Sequence, residues 1–266
     1  MKKLSFVLLL ALLITACKNE SKLESTVIED VSIDDITTSI YPESITKIFD
    51  AHGGIDNWNK MQTLAFTMKK PNGKEVTTVN LKTRAELIDM PTHMQGYDGE
   101  SIWIKDKGEN KNDGSRAGFY RGLMMYFYAM PFIVGDDGII YEEAESLEFE
   151  GKTYPGILIS YEAGVGASPD DQYIVYYDAE TGQMQWLGYT VTFGKDGKSK
   201  NFKFIRYNDW QTINGLVLPN SISWHEYKDK TPTALRNTVM FSDVIVSDEA
   251  PDNSMFTIPE GAKVID

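Results

Sequence analysis

The sequence has one cysteine in 266 residues, which excludes a disulfide scaffold and a zinc site built from several cysteines. It has little positive charge: 26 Lys and Arg stand against 39 Asp and Glu, a formal net charge of −13 at pH 7. A protein that binds nucleic acid through its phosphates normally carries the opposite sign. With 42% hydrophobic residues, 21 Gly and 10 Pro, the composition is that of a globular protein. We predict no nucleic-acid partner.

Catalytic motifs are also scarce. The three histidines, His52, His93 and His225, lie far apart and none forms a His-x-x-x-His pair, so we predict no metal and no cofactor. His52 falls on the apolar face of a predicted helix and is interpreted as a hydrogen-bonded core or cap residue. We predict that the protein is not an enzyme. A cell-envelope hydrolase stays an alternative, with His225 and Glu226, or His52, as its acid–base candidates.

The first 17 residues have the pattern of an export signal. Two lysines precede a mostly apolar run at residues 4–14, which is shorter than the roughly 20 residues that span a bilayer. An aliphatic and two small residues then precede Cys17, which is similar to a bacterial lipobox, in which the thiol accepts a diacylglycerol. We therefore predict a lipoprotein signal peptide at residues 1–16 and acylation of Cys17.

The rest of the chain divides into a tether and a domain. Residues 17–40 are predicted to be the lipidated cysteine and an acidic tether, with some strand character at residues 27–36. Residues 41–266 are predicted to be one domain. Because the protein is acidic, we expect membrane attachment through N-terminal acyl chains rather than through surface charge. The expected location is the cell envelope, on either face of the outer membrane.

One helix and then many strands are predicted in the domain. Pro42, the apolar residues Ile45, Ile48 and Phe49, and a Gly-Gly pair at 53–54 are typical of a helix and its end. Alternating apolar residues then predict about ten strands with turn sequences between them. They cover residues 64–68, 76–81, 102–104, 147–149, 157–161, 173–177, 186–192, 202–205, 217–224 and 239–246. This order predicts a curved antiparallel sheet of nine to eleven strands, with a two-sheet sandwich as the alternative.

One segment breaks the alternation. Residues 119–134 are apolar nearly all round when wound as a helix, so that helix must be covered by protein or by a greasy ligand. We predict a central apolar helix, either part of the core or a lid over a cavity. Its methionines suit a surface that adapts to ligands of varied shape. The candidate ligand-binding residues are Leu123, Met124, Phe127, Tyr128, Met130 and Phe132.

Several short motifs resemble one superfamily. They are residues 52–58 (His-Gly-Gly-Ile-Asp-Asn-Trp), 97–99 (Tyr-Asp-Gly) with Trp103, 176–182 (Tyr-Tyr-Asp-Ala-Glu-Thr-Gly), and 207–210 (Tyr-Asn-Asp-Trp) with 214–219 (Asn-Gly-Leu-Val-Leu-Pro). With the lipobox, the tether and the apolar helix, the chain resembles the LolA/LolB-like lipoprotein-carrier superfamily. Within it, the chain is similar to an uncharacterised family of Bacteroidota outer-membrane lipoproteins.

This resemblance implies a mainly β (α+β) fold, an incomplete antiparallel β-barrel with a helical lid around an apolar cavity. It implies a membrane-anchored lipoprotein that binds lipid or another amphiphile, in lipid or lipoprotein trafficking. LolA itself is soluble, so the lipobox favours a LolB-like or stand-alone role. Beside the hydrolase, a structural or adaptor surface lipoprotein stays an alternative, and the sequence names no protein partner.

Overall fold

The computed structural model of the chain describes residues 40–109, 111–162, 168–195 and 197–265. They belong to one compact unit, Ser39–Asp266. The predicted signal peptide, Cys17 and almost all of the tether lie outside the described residues. No helix in the described ranges combines the length and the hydropathy needed to cross a membrane.

Five short helices occur in the described chain. Helices α1 and α2 open the domain, and α3, α4 and α5 follow one another between the fifth and sixth strands. Their bounds are α1 Glu43–Ala51, α2 Ile55–Trp58, α3 Ala117–Tyr120, α4 Leu123–Tyr128 and α5 Met130–Ile133. A 3-10 helix follows at Asn253–Phe256. Helix α1 confirms the predicted opening helix: Ile45, Ile48 and Phe49 form its buried face.

Thirteen antiparallel strands form a single curved sheet. They are β1 Thr63–Lys70, β2 Gly73–Asn80, β3 Glu86–Asp89, β4 His93–Tyr97, β5 Ile102–Asp106, β6 Ile139–Phe149, β7 Lys152–Tyr161, β8 Tyr173–Tyr177, β9 Met184–Tyr189, β10 Lys203–Ile213, β11 Leu216–Lys228, β12 Thr231–Ser247 and β13 Lys263–Ile265. Their order in the sheet is β13-β5-β4-β3-β2-β1-β12-β11-β10-β9-β8-β7-β6, and the described strands at its two edges do not pair with each other. The predicted fold class, a curved and unclosed antiparallel sheet with few helices, is confirmed.

The predicted number of strands was too low. All ten predicted stretches overlap strands, although residues 81, 190–192 and 202 lie outside them, and β3, β4 and β13 were missed. In β3 and β4 the side chains that point into the protein include Glu86 and Gln95, each 4% exposed. Because these buried residues are polar, the two strands show no apolar alternation.

The sheet consists of two meanders joined by one pair of strands. Strands β1–β5 form one meander and β6–β12 the other, and β1 pairs with β12 from Thr63 opposite Ser247 to Met68 opposite Phe241. We call the face that carries Leu64 and Phe66 the inner face, because the main core cluster lies on it.

The apolar segment is three short helices rather than the predicted single helix. Gly122 has a left-handed backbone (φ 70°), which ends the helical conformation between α3 and α4. A second break at Ala129 separates α4 from α5, whose second residue is Pro131. The helices pack on the inner face: the ring of Phe66 is 4.8 Å from that of Tyr128. The buried hydroxyl of Tyr207 donates a hydrogen bond of 2.7 Å to the carbonyl of Phe127, which ties α4 to strand β10.

Candidate functional site

A cavity of about 340 Å³ lies between the helical segment and the inner face of the sheet. Gly118 and Phe119 of α3, and Leu123 and Phe127 of α4, contribute to its wall. Pockets of about 300–1,000 Å³ hold small ligands in proteins, so this cavity has the size of a ligand site.

Part of the cavity lining is apolar. Its side chains come from strand β2, the helical segment and the loop after β9, and they are Val79, Phe119, Leu123, Met125, Phe127 and Phe193. Phe193 is 40% exposed, and its ring packs edge-on against Phe119 at 5.7 Å between centroids. This ring pair adds partly exposed apolar surface to the cavity wall.

The remaining lining side chains are mostly polar. They include Arg84, Glu86, Tyr126, Tyr161, Asp171 and Tyr173. Asp171 accepts hydrogen bonds from the backbone N–H and the hydroxyl of Thr192, at 2.6 and 2.8 Å. Burial raises the pKa of Tyr161 and of Tyr173, so both hydroxyls stay protonated and can donate hydrogen bonds. A lining that contains both apolar and polar side chains is what an amphiphile requires.

Glu86 is a buried carboxyl group at the cavity wall. Its Oε2 accepts a hydrogen bond of 2.8 Å from the backbone N–H of Gly122, at the start of α4. Burial raises the pKa of Glu86 to about 7, against the lowering effects of that hydrogen bond and of Arg121. The guanidinium of Arg121 lies 3.4 Å from the ring centre of Tyr97. Glu86 therefore changes charge near neutral pH inside the candidate site.

This protonation predicts how stability depends on pH. Between about pH 4.5 and 7 the folded chain keeps a proton on Glu86 that the unfolded chain has lost, so stability falls as the pH rises through that range. Each pKa unit corresponds to about 1.4 kcal/mol, so the wild-type protein is expected to lose about 3 kcal/mol of folding stability over this pH range. Glutamine does not titrate, so the Glu86→Gln variant is expected to lack this loss. Urea unfolding of both proteins at pH 5 and pH 8 measures it. All other titrating groups are shared by the two proteins, and equal pH dependence in both would contradict the prediction.

An ion pair closes the cavity beside α4. One terminal nitrogen of Arg84 donates to both carboxylate oxygens of Asp136, at 2.7 and 2.8 Å. Each side chain is 31% exposed, so the pair lies at the rim of the cavity. Arg84 has a left-handed backbone (φ 60°), and its other terminal nitrogen contacts the sulfur of Met125 at 3.6 Å. The pair thus connects strand β3's entry loop to the end of the helical segment.

Comparison with known proteins places the chain in a family. The model of the family of unknown function DUF6503 matches residues 3–239. The chain belongs to this family. None of the curated proteins matches the DUF6503 chain.

Three solved structures are similar to this DUF6503 chain. A LolA superfamily protein from Nitrosomonas europaea is 11% identical, with 83% of this chain and 99% of that one covered and a TM-score of 0.48. A DUF1329 family protein from Desulfovibrio piger is 10% identical, with 81% and 98% covered and a TM-score of 0.45. A domain from Vibrio parahaemolyticus, assigned by its name to outer membrane lipoprotein sorting, is 8% identical, with 75% and 93% covered and a TM-score of 0.37. Because these TM-scores are below 0.5, the likenesses support no statement about ligand or activity.

The six candidate residues of the sequence lie in two places. Leu123 and Phe127 line the cavity. The other four are buried in the main core cluster rather than at the cavity wall: Met124, Tyr128, Met130 and Phe132. The ring of Phe132 stacks on Trp58 at 4.8 Å. The structure therefore brings part of the predicted set to the cavity, and ligand binding by any of them stays a prediction.

Other cavity residues were not predicted. Phe119 and Tyr126 are spaced at i and i+7, with the predicted Leu123 at i+4, so a helical face starting at Phe119 would have selected them. Glu86, Asp171 and Tyr173 carried no comparable signal, because they reach the cavity from strands and loops distant in sequence.

His52 is a structural residue. Its Nδ1 is 2.9 Å from the carbonyl of Val217 and its Nε2 accepts a hydrogen bond of 3.1 Å from the N–H of Met184. Burial lowers the pKa of His52 to about 4, so the ring is neutral and its Nδ1 carries the proton. The interpretation of His52 as a hydrogen-bonded core residue is confirmed.

The hydrolase candidates do not form a site with each other. His225 is 8% exposed and its ring packs against Trp186 and Phe149, at 4.9 and 6.0 Å, on the outer face of the sheet. Its Nδ1 lies 2.8 Å from the carbonyl of Thr233. Glu226, the next residue in β11, is exposed. Among the described residues, no three His, Cys, Asp or Glu side chains are grouped to hold a metal ion.

Proposed function

We propose that this protein is a membrane-anchored cell-envelope lipoprotein that binds an amphiphile in the cavity between α3, α4 and the sheet. The observation that carries the proposal is the mixed lining of the cavity. Leu123, Phe127 and Phe193 offer apolar contact, and Arg84, Asp171 and other side chains of the same lining offer polar contact. Burial of an acyl chain or ring system there would contribute about 0.8 kcal/mol for each CH₂ group.

The size and charge of the cavity narrow the ligand. A volume of about 340 Å³ is at the lower end for ligand pockets, which favours an amphiphile with one chain or ring system over a lipid with several chains. Arg84 is already paired with Asp136, Arg121 and Asp171 have opposite charges, and Glu86 is partly protonated at neutral pH. This balance favours a neutral or zwitterionic polar end over one with a net charge.

The anchor is supported by the sequence. Cys17 is the only cysteine and stands directly after the small residues of a lipobox-like stretch. Acylation there would hold the protein at an envelope membrane, and residues 18–40 would separate the domain from the surface. A role in lipid or lipoprotein trafficking would follow if the bound amphiphile exchanges with that membrane.

Native mass spectrometry tests the amphiphile site. A chain that begins at Ser39, the first residue of the compact unit, is purified without detergent. It is expected to retain ligands of lipid-like mass. The Leu123→Asp substitution puts a charge at the apolar wall and is expected to reduce the occupied fraction at least tenfold, because an unpaired charge next to an acyl chain is costly.

Leu235→Asp is the matched control. Leu235 is 60% exposed on strand β12 and does not line the cavity, so this variant is expected to keep its ligand. Circular dichroism of both variants checks that the fold is intact. A wild-type protein without ligand, which also fails to take up a single-chain lipid such as lysophosphatidylcholine, would contradict the proposal, as would equal loss in both variants.

A further inference from the structure

A second cavity, of about 420 Å³, lies on the other side of helix α3. Gly118 and Phe119 line the first cavity, whereas Ala117 and Tyr120 of the same helix line the second. The turn between β1 and β2 and the turn between β3 and β4 form its other walls. The two cavities are therefore separate sites that share one wall.

The second cavity contains a buried carboxylate with partners. Glu75 is 4% exposed, and its Oε1 accepts a hydrogen bond of 2.6 Å from the hydroxyl of Tyr120. The ammonium of Lys70 lies 3.6 Å from its Oε2 and donates to the Tyr120 oxygen at 3.4 Å. Lys70, Glu75 and Tyr120 are thus held in one arrangement before any ligand enters, which lowers the entropic cost of binding.

Amide and imidazole groups complete the polar wall. Gln95 is 4% exposed and donates from Nε2 to the carbonyl of Ala117 at 3.1 Å, which leaves the amide oxygen as an acceptor. The Nδ2 of Asn112 lies 3.1 Å from Nε2 of His93. Burial lowers the pKa of His93, so this ring is neutral at pH 7. Hydrogen-bond donors and acceptors are therefore both present in the cavity lining.

The charges select against simple ions. An anion in the cavity would meet the Glu75 carboxylate, and a cation would meet Lys70 and Arg116. A hydroxyl group is both donor and acceptor, so a ligand with several hydroxyl groups can satisfy both kinds of wall group at once. Met90 and Pro91 add apolar surface for the C–H faces of such a ligand.

We propose that this second cavity binds a neutral polyhydroxylated ligand, a sugar ring, independently of the amphiphile in the first cavity. Glu75, Lys70 and Gln95 are its hydrogen-bonding groups, and Tyr120 positions the Glu75 carboxylate.

Ligand-observed NMR on the purified full chain tests this proposal. The probes are glucose, N-acetylglucosamine, inorganic phosphate and choline. At least one of the two sugars is expected to show saturable binding. Glu75→Gln is expected to weaken it at least tenfold, because a hydrogen bond to a charged acceptor is replaced by one to a neutral acceptor.

Two tryptophan variants separate a site effect from a folding effect. Thr92 is exposed on the β3–β4 turn at the cavity mouth, so Thr92→Trp is expected to block the sugar without disturbing the core. Thr153→Trp, at an exposed position of β7 outside both cavities, is expected to bind sugar like the wild type. Leu123→Asp is also expected to keep sugar binding, so failure of the amphiphile site would be visible separately. Binding of phosphate or choline alone, no saturable sugar signal, or equal loss in both tryptophan variants would overturn the proposal.

Discussion

Cells that produce the Cys17→Ser variant are expected to incorporate no fatty-acid label into this protein, whereas the wild-type protein is labelled. Serine lacks the thiol that would form the thioether to diacylglycerol, and the chain has no other cysteine to replace it. Metabolic labelling followed by capture of the protein measures the difference. In the same cells the Cys17→Ser protein is expected to have no mature, acylated form at the outer membrane.

Lys18→Ser is the matched control, because it makes the same kind of change one residue later and leaves the thiol in place. It is expected to be labelled like the wild type. Equal labelling of Cys17→Ser and the wild type would show that the lipobox interpretation is wrong, and so would absence of label from all three proteins.

Gly53→Ala is expected to destabilise the fold by roughly 3–5 kcal/mol, at the upper end for a single substitution. Gly53 has φ 97°, and a Cβ atom there would lie 2.0 Å from the carbonyl oxygen of Gly215. The Cβ atom is fixed to the backbone of residue 53, and the oxygen belongs to the backbone of Gly215. The clash is therefore relieved only if α1 moves away from the β10–β11 turn. That movement would also strain the hydrogen bond of 2.9 Å from the N–H of Val217 to the carbonyl of His52.

Gly54→Ala separates the clash from the backbone conformation. Gly54 has φ 88° but no atom lies within 4 Å of the position of its Cβ. Because Gly54 also has ψ 140°, a conformation that is essentially restricted to glycine, its substitution is expected to cost about 1–3 kcal/mol in backbone strain. Urea unfolding followed by circular dichroism gives both values. Equal losses in the two variants would mean that contact with Gly215 does not limit this position.

The fold was predictable where buried side chains are apolar. Leu64, Phe66 and Met68 alternate with residues of the other face, and this alternation placed β1 correctly. Strand β4 was missed because its buried side chain, Gln95, serves the wall of the second cavity instead of the core. A polar cavity wall on the inner face thus hides a strand from a hydrophobic pattern.

The lining of the first cavity was predictable only in part. The apolar composition of residues 119–134 indicated a segment that lines this cavity, but composition does not distinguish the residues that face the core from those that face the cavity. Gly122 and Pro131 are visible in the sequence as helix breakers, and they divide the segment so that Leu123 and Phe127 face the cavity while Met130 and Phe132 face the core. Glu86 and Asp171 could not be predicted, because only the folded sheet brings their distant positions together.

The single pairing of β1 with β12 constrains the time at which the domain can form during synthesis. Thr63 lies opposite Ser247. One edge of β1, the first strand synthesised, therefore stays unpaired until β12, the last strand but one, has been made. Ribosome-bound chains that end before Thr231 would expose the free edges of both β1 and β11, whereas chains that lack only Lys263–Ile265 lose one edge strand. Each meander therefore presents an unpaired strand edge until β12 has been synthesised, and exposed strand edges of this kind make a partly folded chain prone to association.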